Sequence, residues 1–189
     1  LLEVLLPEAY AMVAAGERGI GNFGQILPAI DRMVAAGRTI NDITILGVLV
    51  LPQILLRRYD VEALDQRPIR RAHLDRLVTE TVAPFLARFT LSNLKAQQVI
   101  QALVGFMRLC EPSWKPIERQ RIARRPGFDD ALLLFEVLVA ATGDGGEVLE
   151  QWQGIARRRP PSELAAAEAP PRPRRKRRPR RGRAPVAMT

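Results

Sequence analysis

Apolar residues recur along the chain at spacings of three and four, and strict alternation of apolar and polar residues is almost absent. Spacings of three and four place apolar side chains on one face of an α-helix, whereas alternation would indicate a β-strand. The clearest apolar stripe consists of Leu74, Leu77, Val78, Thr81, Val82 and Phe85. The pattern therefore predicts an all-α fold, a multi-helix body.

Capping and helix-breaking residues divide this pattern into successive helices. Gly16 and Gly37 stand where a left-handed residue ends a helix, and Asn41 and Ser92 (or Thr90) can cap the helices that follow them. Pro84 is expected to end or bend the helix that carries the Leu74 stripe. The predicted helices cover residues 8–15, 25–36, 43–59, about 68–84, about 93–110, 114–124, 128–141 and 148–157.

Charge is distributed unevenly along the chain, whose formal net charge is +9. Residues 1–156 contain 17 Lys+Arg against 18 Asp+Glu, whereas residues 157–189 contain 12 against 2. The C-terminal segment alternates proline, alanine and arginine without apolar periodicity, so it buries too little surface to offset the entropy of ordering its backbone. We therefore divide the chain into a helical body, residues 1–158, and a disordered Pro/Arg-rich tail, residues 159–189.

The tail contains nine cations within twelve residues and no carboxylate among them. Such a density of positive charge is typical of a segment that binds nucleic-acid phosphates, and flexible arginine segments bind them with little sequence preference. The alternative is a tail that only keeps the protein in solution. The nine residues predicted to bind RNA are Arg172, Arg174, Arg175, Lys176, Arg177, Arg178, Arg180, Arg181 and Arg183.

A second basic segment precedes the predicted helix at residues 128–141 and has Trp114 and Phe128 at its ends. Arginine beside aromatic faces suits the stacking of single-stranded bases. The alternative is a solvated helix face whose aromatic neighbours belong to the core. The candidate RNA-binding residues of this segment are Lys115, Arg119, Arg121, Arg124 and Arg125.

Other residue patterns give no indication of catalysis or metal binding. Cys110 is the only cysteine and His73 the only histidine, so a cysteine zinc site or a histidine cluster cannot form. Asp129 and Asp130 stand at a predicted helix start, where carboxylates offset the positive end of the helix dipole. The glycines of Gly19–Gly24 match G-x-G-x-x-G, but no strand precedes them, so we interpret them as a turn between helices.

The longest apolar run covers about fourteen residues, 43–56, where a membrane-spanning helix needs roughly twenty. We interpret it as a buried core helix, and we expect a cytoplasmic protein without a membrane partner. A basic tail on anionic lipid is an alternative that lacks an apolar anchor. Because Leu1 is not a methionine, we also expect that further sequence precedes it.

The order of these features resembles the C-terminal half of bacterial poly(A) polymerases. In that family a basic helix leads into a His-Pro-basic-Phe motif, a Leu-rich helix and a Trp-Trp-Gly-like element follow, and arginines close the chain. Pro126 and Phe128 match the first motif here, and Trp152 and Gly154 match the second. The resemblance extends over most of residues 1–158, and the arginine tail favours poly(A) polymerases over the related tRNA CCA-adding enzymes.

The resemblance implies a helical neck and body that packs against an N-terminal nucleotidyltransferase head. The head would add adenylates to the 3′ ends of single-stranded RNA, using ATP and two magnesium ions, and the C-terminal part would bind the RNA. The Gly-Ser and Asp-x-Asp motifs of the head match nothing in this chain. We therefore expect no catalytic residue, no cofactor and no activity in this chain alone. A different class stays open, a non-catalytic helical scaffold whose tail binds nucleic acid nonspecifically.

Overall fold

The computed structural model describes residues 23–65, 71–111 and 114–159, which form seven helices and no strand. The all-α prediction is confirmed for this part of the chain. The predicted helix at residues 8–15, most of the Gly19–Gly24 turn and the predicted disorder of the tail lie outside the described residues. The helices are α1 (Phe23–Ala35), α2 (Asp42–Asp65), α3 (Arg71–Arg88), α4 (Asn93–Leu109), α5 (Pro116–Ala123), α6 (Phe128–Thr142) and α7 (Gly146–Arg157).

Helix α4 lies at the centre of the body and packs against α2, α3 and α6. Its apolar residues Val99, Leu103, Phe106 and Met107 are fully buried, and the rings of Phe106 on α4 and Phe135 on α6 meet edge to face, with centroids 6.0 Å apart. Helix α6 also contacts α1 and α7, and α7 in turn contacts α5. The basic helix α5 therefore sits at one side of the body, supported by α7.

The predicted capping residues Asn41 and Ser92 are confirmed. The side-chain oxygen of Asn41 accepts a hydrogen bond from the backbone N–H of Thr44 at 2.8 Å, and the hydroxyl of Ser92 accepts one from Lys95 at 3.3 Å. Each bond satisfies an N–H group that a helix start would otherwise leave without a partner. Gly37, with φ of +83°, follows α1 as predicted.

Pro84 was predicted to end or bend helix α3. The helix does not end there and continues to Arg88. Phe85 and Leu86, which follow the proline, are both buried. Burying two large apolar side chains stabilises the helix by about 3 kcal/mol or more, which is enough to offset the hydrogen bond that proline cannot make. On its exposed face Arg76 pairs with Glu80 at 2.7 Å. Asp75 accepts hydrogen bonds from Arg108 of α4.

The long apolar run is a core helix, as predicted. Val48, Val50, Leu51 and Ile54 of α2 are all buried against neighbouring helices. Among the helices of residues 23–65, 71–111 and 114–159, none combines the length and the apolar content that crossing a membrane would need.

Two glycines allow α4 to approach α6 and the turn before it. A Cβ atom at Gly105 would lie 2.8 Å from the Cβ of Ala131, which is closer than two carbon atoms can sit without a backbone shift. Gly127 ends the α5–α6 turn at φ +76°, and a Cβ atom there would lie 3.2 Å from the backbone nitrogen of Ala102. The α4–α6 contact therefore depends on the absence of side chains at these two positions.

The substitution Gly→Ala is expected to have opposite effects at Gly105 and Gly154, both of which lie inside helices. Gly105→Ala should destabilise the body by about 1–2 kcal/mol, because the overpacking cost exceeds the gain in helix propensity. Gly154→Ala, whose new Cβ atom meets nothing within 4 Å, should stabilise it by about 0.5–1 kcal/mol. Urea denaturation followed by circular dichroism measures the free energy of unfolding of both variants. Equal changes in the two variants would contradict the close approach of α4 and α6 at Gly105.

Candidate nucleic-acid interface

The basic helix α5 and the turn after it form a short exposed strip of cations. Residues 115–125 hold five cations and one carboxylate, and eight helical residues extend over about 12 Å. That carboxylate, on Glu118, accepts a hydrogen bond from the backbone N–H of Lys115 at 3.0 Å and so fixes the start of the helix. The cations Lys115, Arg121, Arg124 and Arg125 are exposed. The solvent-exposed side of the strip is therefore cationic.

Arg119, the fifth predicted cation of this strip, is committed to the support of the helix. Its Nη1 donates to Oε1 of Gln151 on α7 at 2.6 Å, and its guanidinium carbon lies 6.0 Å from the ring centroid of Trp152. A planar guanidinium can bind an amide oxygen and cover an aromatic ring together. Arg119 therefore attaches α5 to α7, and its availability to RNA is smaller than the sequence alone suggests.

The aromatic residues at the ends of the strip belong to the core. Phe128 is 3% exposed, and its ring centroid lies 6.1 Å from that of Trp152, which is 2% exposed. Trp114 is half-buried, and its indole N–H donates to the carbonyl of Arg108 at 2.7 Å. Because the Phe128 ring is buried, the expectation that it stacks an RNA base is wrong. Phe128 instead fits the alternative, in which the aromatic residue belongs to the core beside a solvated helix face.

Arg159 holds the end of the body against the α5–α6 turn, although the sequence division assigned it to the tail. Its Nη1 donates to the carbonyl of Ala123 at 2.7 Å, and its Nη2 donates to the Asp129 carboxylate at 2.7 Å. The guanidinium carbon also lies 5.2 Å from the Phe128 ring centroid, and the side chain is 5% exposed. We call this set of contacts the Arg159 clamp.

The Arg159 clamp places the last described residue beside the basic strip. Its guanidinium is bonded to the carbonyl of Ala123, the last helical residue of α5. Arg159 lies beyond the end of α7 at Arg157, and its partners Ala123 and Asp129 are 36 and 30 residues away, so no local pattern in the sequence indicates these contacts. The nine predicted tail cations, Arg172 to Arg183, lie outside the described residues.

The acidic residues at the start of α6 have structural partners. Asp129 accepts from Arg159, and Asp130 accepts a 2.6 Å hydrogen bond from Asn41. Partial burial raises the pKa of Asp130, which the bond from Asn41 opposes. Both carboxylates lie in the first turn of α6, as predicted. Within the described part of the chain, no three His, Cys, Asp or Glu side chains cluster closely enough to hold a metal ion.

Comparison with known proteins does not identify a relative. No family model matches the chain, and neither a curated protein nor a solved structure is similar to it. The functional interpretation therefore rests on the residues, their geometry and the sequence resemblance described above.

Replacing Arg159 by methionine should destabilise the body by about 2 kcal/mol, because the Ala123 carbonyl loses its charged donor and the Phe128 face loses its cation. Arg158→Met is the matched control, since Arg158 is adjacent and exposed, and it should change the free energy of unfolding by less than about 0.5 kcal/mol. Urea denaturation of both variants measures the difference. Equal stabilities would contradict the clamp.

The Cys110 thiol should be unreactive in the folded protein, because burial raises its pKa to about 12 and only the thiolate reacts. Alkylation by iodoacetamide at pH 8 should run at least about a hundredfold slower than in urea. The raised pKa also means that only the unfolded state loses this proton just above pH 9, so stability should fall as pH rises there. Rapid alkylation of the folded protein would contradict this environment.

Proposed function

We propose that this chain is the RNA-binding C-terminal portion of a poly(A) polymerase-like nucleotidyltransferase, whose head adds adenylates to RNA 3′ ends. The observation that carries the proposal is the Arg159 clamp, which holds the start of the arginine-rich tail against the end of the basic helix α5. Arg159, from which the cationic tail continues, thereby lies beside the second cationic segment, α5. A single RNA strand can contact both.

The residues that carry the family resemblance also support the proposal. Phe128 comes from the Pro-basic-Phe-like motif and Trp152 from the Trp-Gly-like motif, and their rings pack against each other. The Trp152 indole N–H donates to the carbonyl of Leu109 at 3.1 Å, which ties α7 to the end of α4. Two motifs about 24 residues apart thus pack together, and this packing supports α5 and Arg159.

The charge distribution explains how the two segments divide the work. Each phosphate that a cation neutralises releases condensed counterions, and this release favours binding whatever the base sequence. The nine tail cations supply most of that free energy, and the exposed cations of α5 direct the bound strand across the body. The body itself is close to neutral, with 17 basic and 18 acidic residues in positions 1–156, so it adds little nonspecific attraction elsewhere.

Deleting residues 160–189 should remove most of the affinity for a 20-nucleotide oligo(A) and flatten its salt dependence. If about six tail cations contact phosphates, the slope of log K against log salt should be near −4 for the full chain. The truncated chain keeps Arg159 and the folded body, so it is the appropriate comparison. Fluorescence anisotropy across a salt series measures both slopes, and equal affinities of the two proteins would show that the tail is not the main RNA contact.

The enzyme and scaffold alternatives differ in what lies upstream of Leu1. A segment rich in strands that carries Gly-Ser and Asp-x-Asp motifs supports the polymerase-like protein, and a start codon directly before residue 1 supports the scaffold. Adenylate incorporation from labelled ATP into oligo(A) by the complete protein then tests the proposed reaction. Incorporation that does not require those acidic residues would contradict it.

A further inference from the structure

A cleft of about 370 Å³ opens between α3, α4 and the α5–α6 turn. We call it the α3–α4 cleft. Its apolar wall is formed by Ile100 and Val104 of α4 and by Ile122 and Pro126 near the turn. Small-molecule sites in proteins begin at roughly 300 Å³ and combine apolar walls with a few polar groups. The cleft is therefore large enough for one nucleobase with its sugar.

Two guanidinium groups and one carboxylate line the same cleft. Arg108 donates to both carboxylate oxygens of Asp75 at 2.7 Å, and its side chain is 15% exposed. The guanidinium of Arg125 makes no hydrogen bond or ion pair within the described part of the chain, so its five N–H donors are available. Partial burial and the nearby charge of Arg108 lower the pKa of Arg125, and the Asp75 carboxylate opposes them. Because Asp75 already pairs with Arg108, Arg125 is the cation of this cleft that a phosphate can bind.

Gln101 supplies the third property that the α3–α4 cleft needs for a nucleotide. Gln101 is one of the residues that line the cleft, and its side-chain amide makes no hydrogen bond within the described part of the chain. The backbone around it is fixed, because the α5–α6 turn at Gly127 lies against Gln101 and Ala102. A glutamine amide offers one acceptor and a donor side by side, which is the pair that the N6 and N7 edge of adenine requires.

We propose that the α3–α4 cleft holds one unpaired nucleotide of the bound RNA, with its phosphate on Arg125 and its base against Ile100, Val104 and Ile122. This inference rests on the proposed function, because Arg125 follows α5 directly and continues the strip that a bound strand would cross. The tail cations contact phosphates and do not recognise bases, whereas the cleft can enclose a base and contact it directly. Gln101 favours adenine over a pyrimidine there.

The test compares oligo(A) with an abasic oligomer of the same length and charge, using the full chain and three variants. In the unsubstituted protein oligo(A) should bind about fivefold more tightly than the abasic oligomer, since one base is buried against apolar side chains. Gln101→Ala should lower this ratio towards one because it removes the group that contacts the base, and Arg125→Gln, which removes the proposed phosphate contact, should weaken both ligands. Arg121→Gln is the matched control, because it removes an exposed charge of the same basic segment that does not line the cleft, and it should weaken both ligands alike.

A second measurement separates failure of this inference from failure of the proposed function. Titration of the full chain with 5′-AMP, adenosine and inorganic phosphate is followed by NMR, which also reports whether each variant is folded. AMP should shift the amide signals of Val104, Gly105 and Phe128 more than adenosine or phosphate does. In Arg125→Gln, AMP should no longer shift these signals more than adenosine does. If AMP shifts none of these amides, or if the ratio of oligo(A) to abasic affinity is equal in all four proteins, the cleft does not bind a nucleotide. The result of the tail deletion would be unaffected by either outcome.

Discussion

The close contact between α4 and α6 is the constraint on which the rest of the body depends. Gly105 brings the helices together over Ala131, and Gly127 turns the chain against α4 immediately before α6 begins. Because that turn is held, Phe128 lies under Trp152, and the carbonyl of Ala123 and the carboxylate of Asp129 both face the Arg159 guanidinium. A contact between two small residues thus fixes the orientation of a cationic surface that neither of them touches.

Much of the helical architecture could be predicted because it follows from local physics. Apolar spacing identified α2, α4 and α6, and the side-chain chemistry of Asn41 and Ser92 located two helix starts. Such signals operate within four residues of each other, so a sequence displays them directly. The expectation that α3 could end at Pro84 was wrong because the contacts that decide it are not local. The burial of Phe85 and Leu86 against other helices, which no local pattern reveals, outweighs the local cost of the proline.

The candidate interface was predictable in composition but not in arrangement. Counting charges located the cations of α5, yet it could not separate exposed Arg121 from Arg119, whose partner Gln151 is 32 residues away. Likewise, the spacing of Phe128 is equally compatible with a stacking platform and with a core residue, and only the position of Trp152 decides between them. Arg159 was assigned to the tail because its neighbours are basic, although its own partners are Ala123 and Asp129.

Anchoring the tail at Arg159 changes what a weak site in the body can accomplish. Twelve residues separate Arg159 from Arg172, the first cation of the dense tail cluster, so a phosphate held there stays within roughly 50 Å of the clamp. A strand tethered over that distance meets the α3–α4 cleft at an effective concentration of about millimolar. Under the proposed function, a cleft that binds a free nucleotide only weakly is then filled whenever the tail holds RNA. Affinity and base selection can thus reside in different segments, because the tail is joined to the body at Arg159.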